Sequence, residues 1–353
     1  MHELEAVIVD HIGRVGSIGF DTYVDHALYA PELGFYTSGR GAGRRRDFLT
    51  SPEVGPLFGT VVSRALDEWW DDLGRPDPYW VVEAGAGPGT LARTVLAAEP
   101  RCSSALRLVL VDEAEIQWAT HPVGTISRRE LPGPGELGPG PVVVLANELL
   151  DNLPFGLVEL GDGGWCEVQV AVGDTQGRLV EVLLPLEPRR AAWCRGKAGR
   201  DADEGTRLPV QAAAAAWLDE ALTLSAGGRV VVFDYASTTR EMARRPWSEW
   251  VRTYGAHGRG GHPLQAPGAW DITVEVAVDQ LTGVQEPDLD RDQATFLRSH
   301  GIEALAEEGA TIWRQSGAAG GLRSIAARSR VHEAEALTDP SGLGSFRALE
   351  WQT

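Results

Sequence analysis

The sequence predicts an α/β protein with a Rossmann-like, mostly parallel sheet, an N-terminal helical cap and an inserted β-meander. The first observation is a set of short, almost continuously apolar runs at positions 79–82, 106–111, 141–146 and 228–233. Strands of this composition are typically buried on both faces, as in a parallel sheet. The second observation is a glycine-rich turn between the first run and a helical segment, which is typical of a βα unit.

The N-terminal part of the chain is predicted to be mainly helical. Residues 3–12 and 20–29 have helical patterns, and Asp21 is a suitable N-cap for the second helix. A Gly/Arg-rich stretch at 39–46 lacks apolar anchors and is predicted to be a mobile loop. Residues 56–73 then place apolar side chains at helical spacing, before the first strand and its helix at 91–98.

The strands at 106–111 and 141–146 end at Asp112 and Asn147. Alternating apolar and polar positions predict an antiparallel meander over 155–185. The remaining segments are predicted as a surface loop at 188–206, a helix at 210–224, a strand at 228–233, an irregular excursion at 241–280 and a last strand at 345–351.

Charge and cysteine content exclude several classes of protein. The chain has 353 residues, with 32 basic and 50 acidic side chains and a formal net charge of -18, which opposes binding to nucleic acid or anionic membranes. Its three cysteines are widely spaced, so neither a disulfide framework nor a thiolate zinc site is predicted, and the expected location is a reducing cytoplasm. An acidic N-terminus and the lack of a long apolar run predict a soluble, complete protein without a signal peptide or membrane insertion.

The glycine-rich turn carries the strongest chemical signal. Its glycines are Gly85, Gly87 and Gly89, whereas a dinucleotide-binding loop would need its third glycine at Thr90. A nicotinamide oxidoreductase is therefore disfavoured, and an ordinary strand-to-helix turn is the other alternative. A methyltransferase has no phosphate to hold, so its loop needs bare backbone beneath the methionine part of S-adenosylmethionine. Glu83, two residues before the first glycine, is placed to bind the ammonium group of this cofactor.

A second acid is expected at the end of the next strand, where a carboxylate can accept hydrogen bonds from both ribose hydroxyls. Asp112 occupies that position, and Glu113 is the alternative because a sequence pattern fixes a strand end only to within a few residues. The glycine loop, the paired acids and Asn147 together predict a class I methyltransferase core.

Nine sequence blocks keep a fixed order from residue 29 to residue 344, and those containing TSPEV and ANELLDNLP are the most specific. The blocks are Tyr29–Tyr36 (YAPELGFY), Asp47–Val54 (DFLTSPEV), Val82–Leu91 (VEAGAGPGTL), Ala146–Pro154 (ANELLDNLP), Val232–Tyr235 (VFDY), Arg252–His257 (RTYGAH), Gln265–Gly268 (QAPG), Asp271–Thr273 (DIT) and Asp339–Gly344 (DPSGLG). With these blocks the chain resembles the MidA-like family of S-adenosylmethionine-dependent methyltransferases, the bacterial and mitochondrial relatives of the complex I assembly arginine methyltransferase.

The resemblance implies a Rossmann-like core with extra elements over the cofactor. It also implies an acceptor that, in characterised relatives, is an arginine of a respiratory complex I subunit. Two features depart from the family pattern. Residues 112–116 (DEAEI) lack the expected E-x-S pattern, which leaves the ribose contact open between Asp112 and Glu113, and Asn152 replaces a small residue in a way that could alter the substrate pocket.

An arginine acceptor keeps its proton up to about pH 12, so it must be oriented and relieved of its charge. Glu148 and Asp151 lie three positions apart just after a strand and would face the same side of a helical turn. We predict that they form a guanidinium clamp and that one of them also accepts the proton. The alternative is structural: Asp151 caps a helix and Glu148 is merely solvated.

Further cofactor contacts are predicted on either side of the glycine loop. Asn147 is expected to touch the cofactor or to shape the turn after its strand. Thr50, Ser51 and Glu53 lie on a Pro-bearing loop that, by the family match, closes over the methionine end, and Glu53 is assigned to the substrate.

The substrate channel is predicted from the family blocks to be lined by Tyr254, His257, Asp271 and Thr273. His257 and His262 have no third ligand at a suitable spacing, so no metal site is predicted.

These assignments divide the chain into six segments. They are an N-terminal cap and cofactor-covering loop at 1–56, the first half of the core at 57–154, a meander and loop at 155–209, a continuation of the core at 210–240, a substrate-covering excursion at 241–299 and the end of the core at 300–353.

The leading functional prediction is a protein arginine methyltransferase that acts on a complex I subunit and uses S-adenosyl-L-methionine as its cofactor. The alternatives are a methyltransferase for a small metabolite or modified peptide, and a non-catalytic assembly chaperone with bound cofactor. The predicted partner is accordingly a protein client or a small-molecule methyl acceptor, and a homodimer is compatible with the sequence.

Overall fold

The computed structural model describes residues 3–38, 50–174, 178–255, 258–316 and 321–353. Elements are numbered in chain order. The helices are α1 Glu3–Val15, α2 Phe20–Tyr29, α3 Ser51–Val54, α4 Pro56–Asp72, α5 Thr90–Ala97, α6 Pro188–Ala198, α7 Ala212–Leu224, α8 Thr239–Met242, α9 Trp247–Trp250, α10 Val278–Leu281, α11 Gln293–Ser299, α12 Ile302–Ser316 and α13 Leu322–Thr338, and 3-10 turns occur at Glu115–Thr120, Leu150–Asn152 and Leu343–Ser345.

The strands are mostly short. They are β1 Ile18–Gly19, β2 Tyr79–Ala84, β3 Leu106–Val111, β4 Ile126–Arg128, β5 Val142–Asn147, β6 Gly156–Gly161, β7 Gly164–Val172, β8 Leu179–Pro185, β9 Arg207–Val210, β10 Arg229–Asp234, β11 Ala236–Ser237, β12 Val251–Gly255, β13 Gly258–Arg259, β14 Asp271–Val274, β15 Val276–Ala277, β16 Leu289–Asp292 and β17 Arg347–Gln352.

The chain forms two compact units. The first comprises Met1–Phe48, Leu149–Asp219 and Ala236–Glu286, and the second comprises Leu49–Glu148, Glu220–Tyr235 and Pro287–Thr353. The division therefore passes through α7 and directly after Glu148. No helix in the described ranges is long and apolar enough to cross a membrane.

The second unit is built on a seven-stranded sheet with the order β16-β17-β10-β5-β2-β3-β4. The strands from β10 to β4 are parallel to one another, whereas β17 is antiparallel to β10 and β16 is antiparallel to β17. Ala84 is paired with Val111 on one side and with Ala146 on the other. The residues that follow β2, β3 and β5 therefore emerge side by side at one edge, the usual place for a ligand in a parallel sheet.

Aromatic side chains pack against one face of this sheet. Phe58 of α4 packs edge-on against Phe233 of β10, and Phe233 packs against Phe296 of α11 at a centroid separation of 4.8 Å. All three side chains are fully buried, so they fix α4 and α11 against the strands.

The first unit is built around antiparallel pairing. Its five-stranded sheet has the order β1-β7-β6-β9, with β8 also paired to β7, and a second sheet has the order β13-β12-β14. The N-terminal helices α1 and α2 pack on this unit through buried Ile8, Phe20 and Tyr23.

Most predicted elements are confirmed. Helix α2 and strand β3 have the predicted bounds, the meander is present as β6–β8, and the predicted parallel strands are β2, β3, β5 and β10. The predicted mobile loop at 39–46 lies outside the described residues.

Three local predictions were wrong. The 188–206 segment is not all loop, because α6 occupies Pro188–Ala198 and buries Ala191, Cys194 and Ala198. The 241–280 segment is more regular than predicted, because its strands pair with one another across long separations, as in Val251 with Val274. The N-cap of α2 is Gly19 rather than Asp21, whose carboxylate instead accepts the N–H of Thr22 at 2.7 Å.

Glu333 of α13 is expected to stabilise the helix that precedes the sheet. Its buried carboxylate accepts the backbone N–H of Leu57, in the first turn of α4, at 2.9 Å and the hydroxyl of Ser329 at 2.8 Å. Glu333→Ala should lower the free energy of unfolding by about 2 kcal/mol, because it leaves a buried N–H unsatisfied. Urea denaturation measures this, with the exposed Glu335→Ala as a matched control; equal midpoints for the two variants would contradict the assignment.

Candidate active site

The glycine loop follows β2 with three residues in left-handed backbone conformations. The φ angles of Gly85, Gly87 and Gly89 are 69°, 51° and 72°. A Cβ built on Gly87 would meet nothing within 4 Å among the described residues, so this glycine presents bare backbone to open space. A loop of this shape can accept a ligand in direct contact with its main chain.

Glu83 is a buried acid beneath this loop. Its side chain is only 6% exposed, and burial raises its pKa to about 8; a hydrogen bond from the Ala92 N–H lowers the pKa in part, and the nearby charge of Asp112 raises it. A carboxylate in this state gains from a cationic ligand, because the positive charge restores the ionised form.

Asp112 is directly attached to the glycine loop. Its Oδ2 accepts the Gly87 N–H at 2.7 Å, and its Oδ1 accepts the Ala114 N–H at 2.9 Å. Glu113, the sequence alternative, is paired with Arg129 and is 38% exposed. Of the two acids, the structure brings Asp112 to the loop and turns Glu113 towards a surface ion pair.

Asn147 and Glu148 end β5 at the same sheet edge. Glu148 has a φ angle of 51°, which is unfavourable for a residue with a side chain and costs on the order of 1–3 kcal/mol. Its Oε1 accepts both the Ser51 N–H at 3.0 Å and the Asn147 Nδ2–H at 3.1 Å. Asn147 Oδ1 is buried and has no hydrogen-bond partner within the described ranges, so it is available to a ligand donor.

The segment from Thr50 to Glu53 is held to this edge as a short capped helix. Glu53 accepts the backbone N–H of Thr50 at 3.4 Å, which is the reciprocal half of a capping box. The Ser51 hydroxyl, which is fully buried, donates to Gln293 Oε1 at 2.9 Å. The structure therefore gives Glu53 a local capping contact and gives Ser51 two anchors.

The prediction that Glu148 and Asp151 share a helical turn was wrong. Glu148 is left-handed, and the following 3-10 turn starts only at Leu150. Glu148 belongs to the second unit, whereas Asp151, which is buried, belongs to the first. All eight residues predicted to bind the cofactor lie in the second unit with Glu148 and Glu53.

Three other predicted substrate residues, Tyr254, Asp271 and Thr273, lie in the first unit. Asp271 Oδ1 accepts the Tyr36 hydroxyl at 2.8 Å and the Asn152 Nδ2–H at 2.9 Å. Tyr254 is the strand partner of Asp271, and Thr273 Oγ1 is buried with no hydrogen-bond partner among the residues described. His257 lies outside the described residues, and the described part of the chain contains no group of three or more potential metal ligands.

Sequence reasoning missed two polar residues at the sheet. Asp234 ends β10 beside Asn147 and is 2% exposed, and its carboxylate accepts the Tyr235 N–H at 3.0 Å. The rule that found Asp112, an acid at a strand end, would also have found Asp234. Gln293, which anchors Ser51, gave no signal, because its contact arises from a segment 242 positions away in the chain.

The second unit therefore has the parts of a nucleoside-cofactor site: a bare glycine loop, two acids at adjacent strand ends and a buried amide oxygen. This fold and site define a Rossmann-like, S-adenosylmethionine-dependent methyltransferase. Residues 61–295 match the model of an S-adenosyl-L-methionine-dependent methyltransferase family, and the chain belongs to this family, which confirms the MidA-like resemblance.

Relatives and solved structures agree with this assignment. The mitochondrial protein arginine methyltransferase NDUFAF7 of Bos taurus is 25% identical over 334 residues, which are 84% of this chain and 73% of that protein. The Drosophila melanogaster homolog is 32% identical over 193 residues, which are 46% of this chain but only 43% of the fly protein. A Burkholderia thailandensis protein crystallised with S-adenosyl-homocysteine is 26% identical, with a TM-score of 0.81, and the match covers 99% of this chain and 92% of that chain.

The predicted α/β methyltransferase fold, the enzymatic class and the S-adenosyl-L-methionine cofactor are thus confirmed. The acceptor, the cytoplasmic location and the individual site residues stay predictions.

Proposed function

We propose that this methyltransferase modifies an arginine of a protein client resembling a respiratory complex I subunit. The observation that carries the proposal is the similarity of 84% of the chain to a protein arginine methyltransferase. The acidic composition supports it, because a net charge of -18 favours a cationic acceptor over an anionic one.

We place the cofactor on the second unit. Gly85, Gly87 and Gly89 would lie beneath its methionine part, Glu83 would bind its ammonium group, and Asp112 would accept the ribose hydroxyls. The open space at Gly87 and the raised pKa of Glu83 support this placement. Asn147, Thr50 and Ser51 would complete the contacts, with Asn147 Oδ1 as an unused acceptor.

The bound cofactor supplies an electrophilic methyl group, and the chain has to align a nucleophile behind it. In this proposal Glu148 orients the guanidinium and accepts the proton that the attacking nitrogen loses. The N–H groups of Ser51 and Asn147 hold the Glu148 carboxylate at the strand end, so its position does not depend on the acceptor. Asp151 remains, as predicted from the sequence, the second carboxylate of the guanidinium clamp.

The predicted substrate residues keep their assignment as well. The contacts of Asp271 support this assignment, because the neutral Tyr36 hydroxyl and Asn152 amide hold its buried carboxylate in place within the first unit. Tyr254, His257, Thr273 and Glu53 are the other residues assigned to the acceptor.

The proposal is tested by incubating the full chain and labelled cofactor with purified complex I subunits. Peptide mass spectrometry should find methylated arginine in one subunit and none in the same subunit with that arginine replaced by lysine. Label transfer to a metabolite fraction, with none to any protein, would instead support the small-molecule alternative. Asn152 is the observation that favours this alternative, since it bonds to Asp271 where the family has a small residue.

The ribose assignment predicts different effects for the two neighbouring acids. Asp112→Asn should raise the dissociation constant of S-adenosyl-homocysteine at least about 10-fold, because the amide cannot accept hydrogen bonds at both of its ends. Glu113→Gln should change it less than about twofold, because an exposed ion pair with Arg129 contributes little. Titration calorimetry measures both constants, and the reverse order would assign the ribose to Glu113.

A further inference from the structure

One side chain outside the predicted site is hydrogen-bonded to the backbone of the glycine loop. His121, directly after the 3-10 turn Glu115–Thr120, places its Nε2 2.9 Å from the Gly87 carbonyl oxygen. A carbonyl oxygen only accepts hydrogen bonds, so Nε2 must carry a proton. In the neutral ring, Nδ1 is then an acceptor, and it lies 2.8 Å from the Ser127 hydroxyl, which donates to it.

Gly87 is therefore held at both ends of its backbone. Its N–H donates to Asp112 and its carbonyl accepts from His121, while the space that a Cβ would fill stays open. The neighbouring Pro88 carbonyl accepts the Arg93 Nη2–H at 3.0 Å, and the same nitrogen donates to the Thr120 carbonyl at 2.7 Å. These contacts turn the loop carbonyls towards the 115–121 segment.

The same imidazole also packs against the third glycine. A Cβ on Gly89 would lie 3.3 Å from His121 Cδ2 and 3.1 Å from Pro122 Cδ, so the ring and the proline fill the space that a side chain would need. Ser127 belongs to β4, where it pairs with Leu110 of β3. Strand pairing thus fixes Ser127 at the sheet edge. The Ser127 hydroxyl is hydrogen-bonded to His121, and His121 is hydrogen-bonded to the loop.

We propose that His121 is a positioning residue for cofactor binding, which keeps the Gly85–Gly89 loop in its binding shape without touching the reacting atoms. The inference rests on the proposed placement of the cofactor on this loop. Removing the donor should leave the fold intact and free the loop to sample other conformations, so that cofactor binding must also order the loop.

The test compares His121→Phe, which keeps a ring but no donor, with His121→Gln, which keeps a donor. His121→Phe should raise the dissociation constant of S-adenosyl-homocysteine about 10-fold, and His121→Gln should stay within about threefold of wild type. Amide hydrogen exchange should accelerate only in residues 85–91. At saturating cofactor kcat should be unchanged, whereas KM for the cofactor should rise.

The exposed His332→Phe is the matched control and should bind like wild type. If His121→Phe is folded and binds as tightly as wild type, the inference is wrong. If His121→Phe does not fold, Ser127→Ala provides the test, since it removes only the support of the ring; a threefold weaker binding sustains the inference and an unchanged constant overturns it. Wild-type protein that binds no S-adenosyl-homocysteine contradicts the cofactor placement instead.

Discussion

Glu148→Gln is expected to reduce methyl transfer on the order of 1000-fold while leaving S-adenosyl-homocysteine binding within about twofold of wild type. The amide oxygen of glutamine can still accept the Ser51 and Asn147 hydrogen bonds that Glu148 Oε1 accepts. What the variant lacks is the negative charge and the capacity to take a proton. Label transfer to the acceptor and calorimetry with S-adenosyl-homocysteine measure the two effects separately.

Glu148→Ala is the companion variant, because it removes the anchor together with the charge. It should weaken cofactor binding and lower the melting temperature, since the first N–H of α3 loses its acceptor. Wild-type turnover in a folded Glu148→Gln protein would exclude the carboxylate from the mechanism and leave Glu148 as an anchor for Ser51.

The features predictable from sequence were those encoded in short segments. The glycine loop is visible because Gly85, Gly87 and Gly89 directly follow an apolar strand, and Asp112 is visible because it ends the next one. A parallel sheet brings successive strand ends to one edge, so local patterns were enough to predict that these residues lie at the same sheet edge.

The features that were missed depend on distant partners. Glu148 looked like the start of a helical turn, and nothing in its neighbours indicates a left-handed residue held by Ser51, 97 positions earlier. Helix α6 was hidden because four of its eleven residues are Arg or Lys and only Ala191, Cys194 and Ala198 are buried. The paired strands β12 and β14 were hidden because each is at most five residues long and gains its regularity from the other.

Glu83→Gln is expected to weaken cofactor binding on the order of 100-fold, because a buried charge-assisted hydrogen bond to the ammonium group is lost. The wild-type enzyme should also bind S-adenosyl-homocysteine more tightly as the pH rises from 6 to 8. Glu83 is largely protonated below its pKa of about 8, and the ligand cation requires the ionised form, so binding releases a proton. Calorimetry in buffers of different ionisation enthalpy measures the number of protons released on binding. This release should be absent in the Glu83→Gln variant.

The same substitution should stabilise the protein without ligand. In the folded state the pKa of Glu83 is raised from 4.5 to about 8, so between these values the folded protein binds more protons than the unfolded chain. The contribution of Glu83 to folding stability is therefore fully present below pH 4.5 and is lost as the pH rises to 8, up to a limit on the order of 5 kcal/mol. Glutamine keeps the Ala92 hydrogen bond and removes the titration.

Thermal unfolding of the ligand-free proteins shows whether the ionised Glu83 carboxylate destabilises the fold or stabilises it. At pH 8.5 the Glu83→Gln variant should melt above wild type, and the gap should close towards pH 5, whereas the exposed Glu113→Gln should follow wild type at both values. A variant that melts below wild type at pH 8.5 would mean that the ionised carboxylate has a stabilising partner within the protein, and the assignment to the ligand ammonium would then fail. If the gap has the expected sign, the chain maintains an unfavourable buried acid at this strand end, and the cofactor's positive charge is what compensates for it.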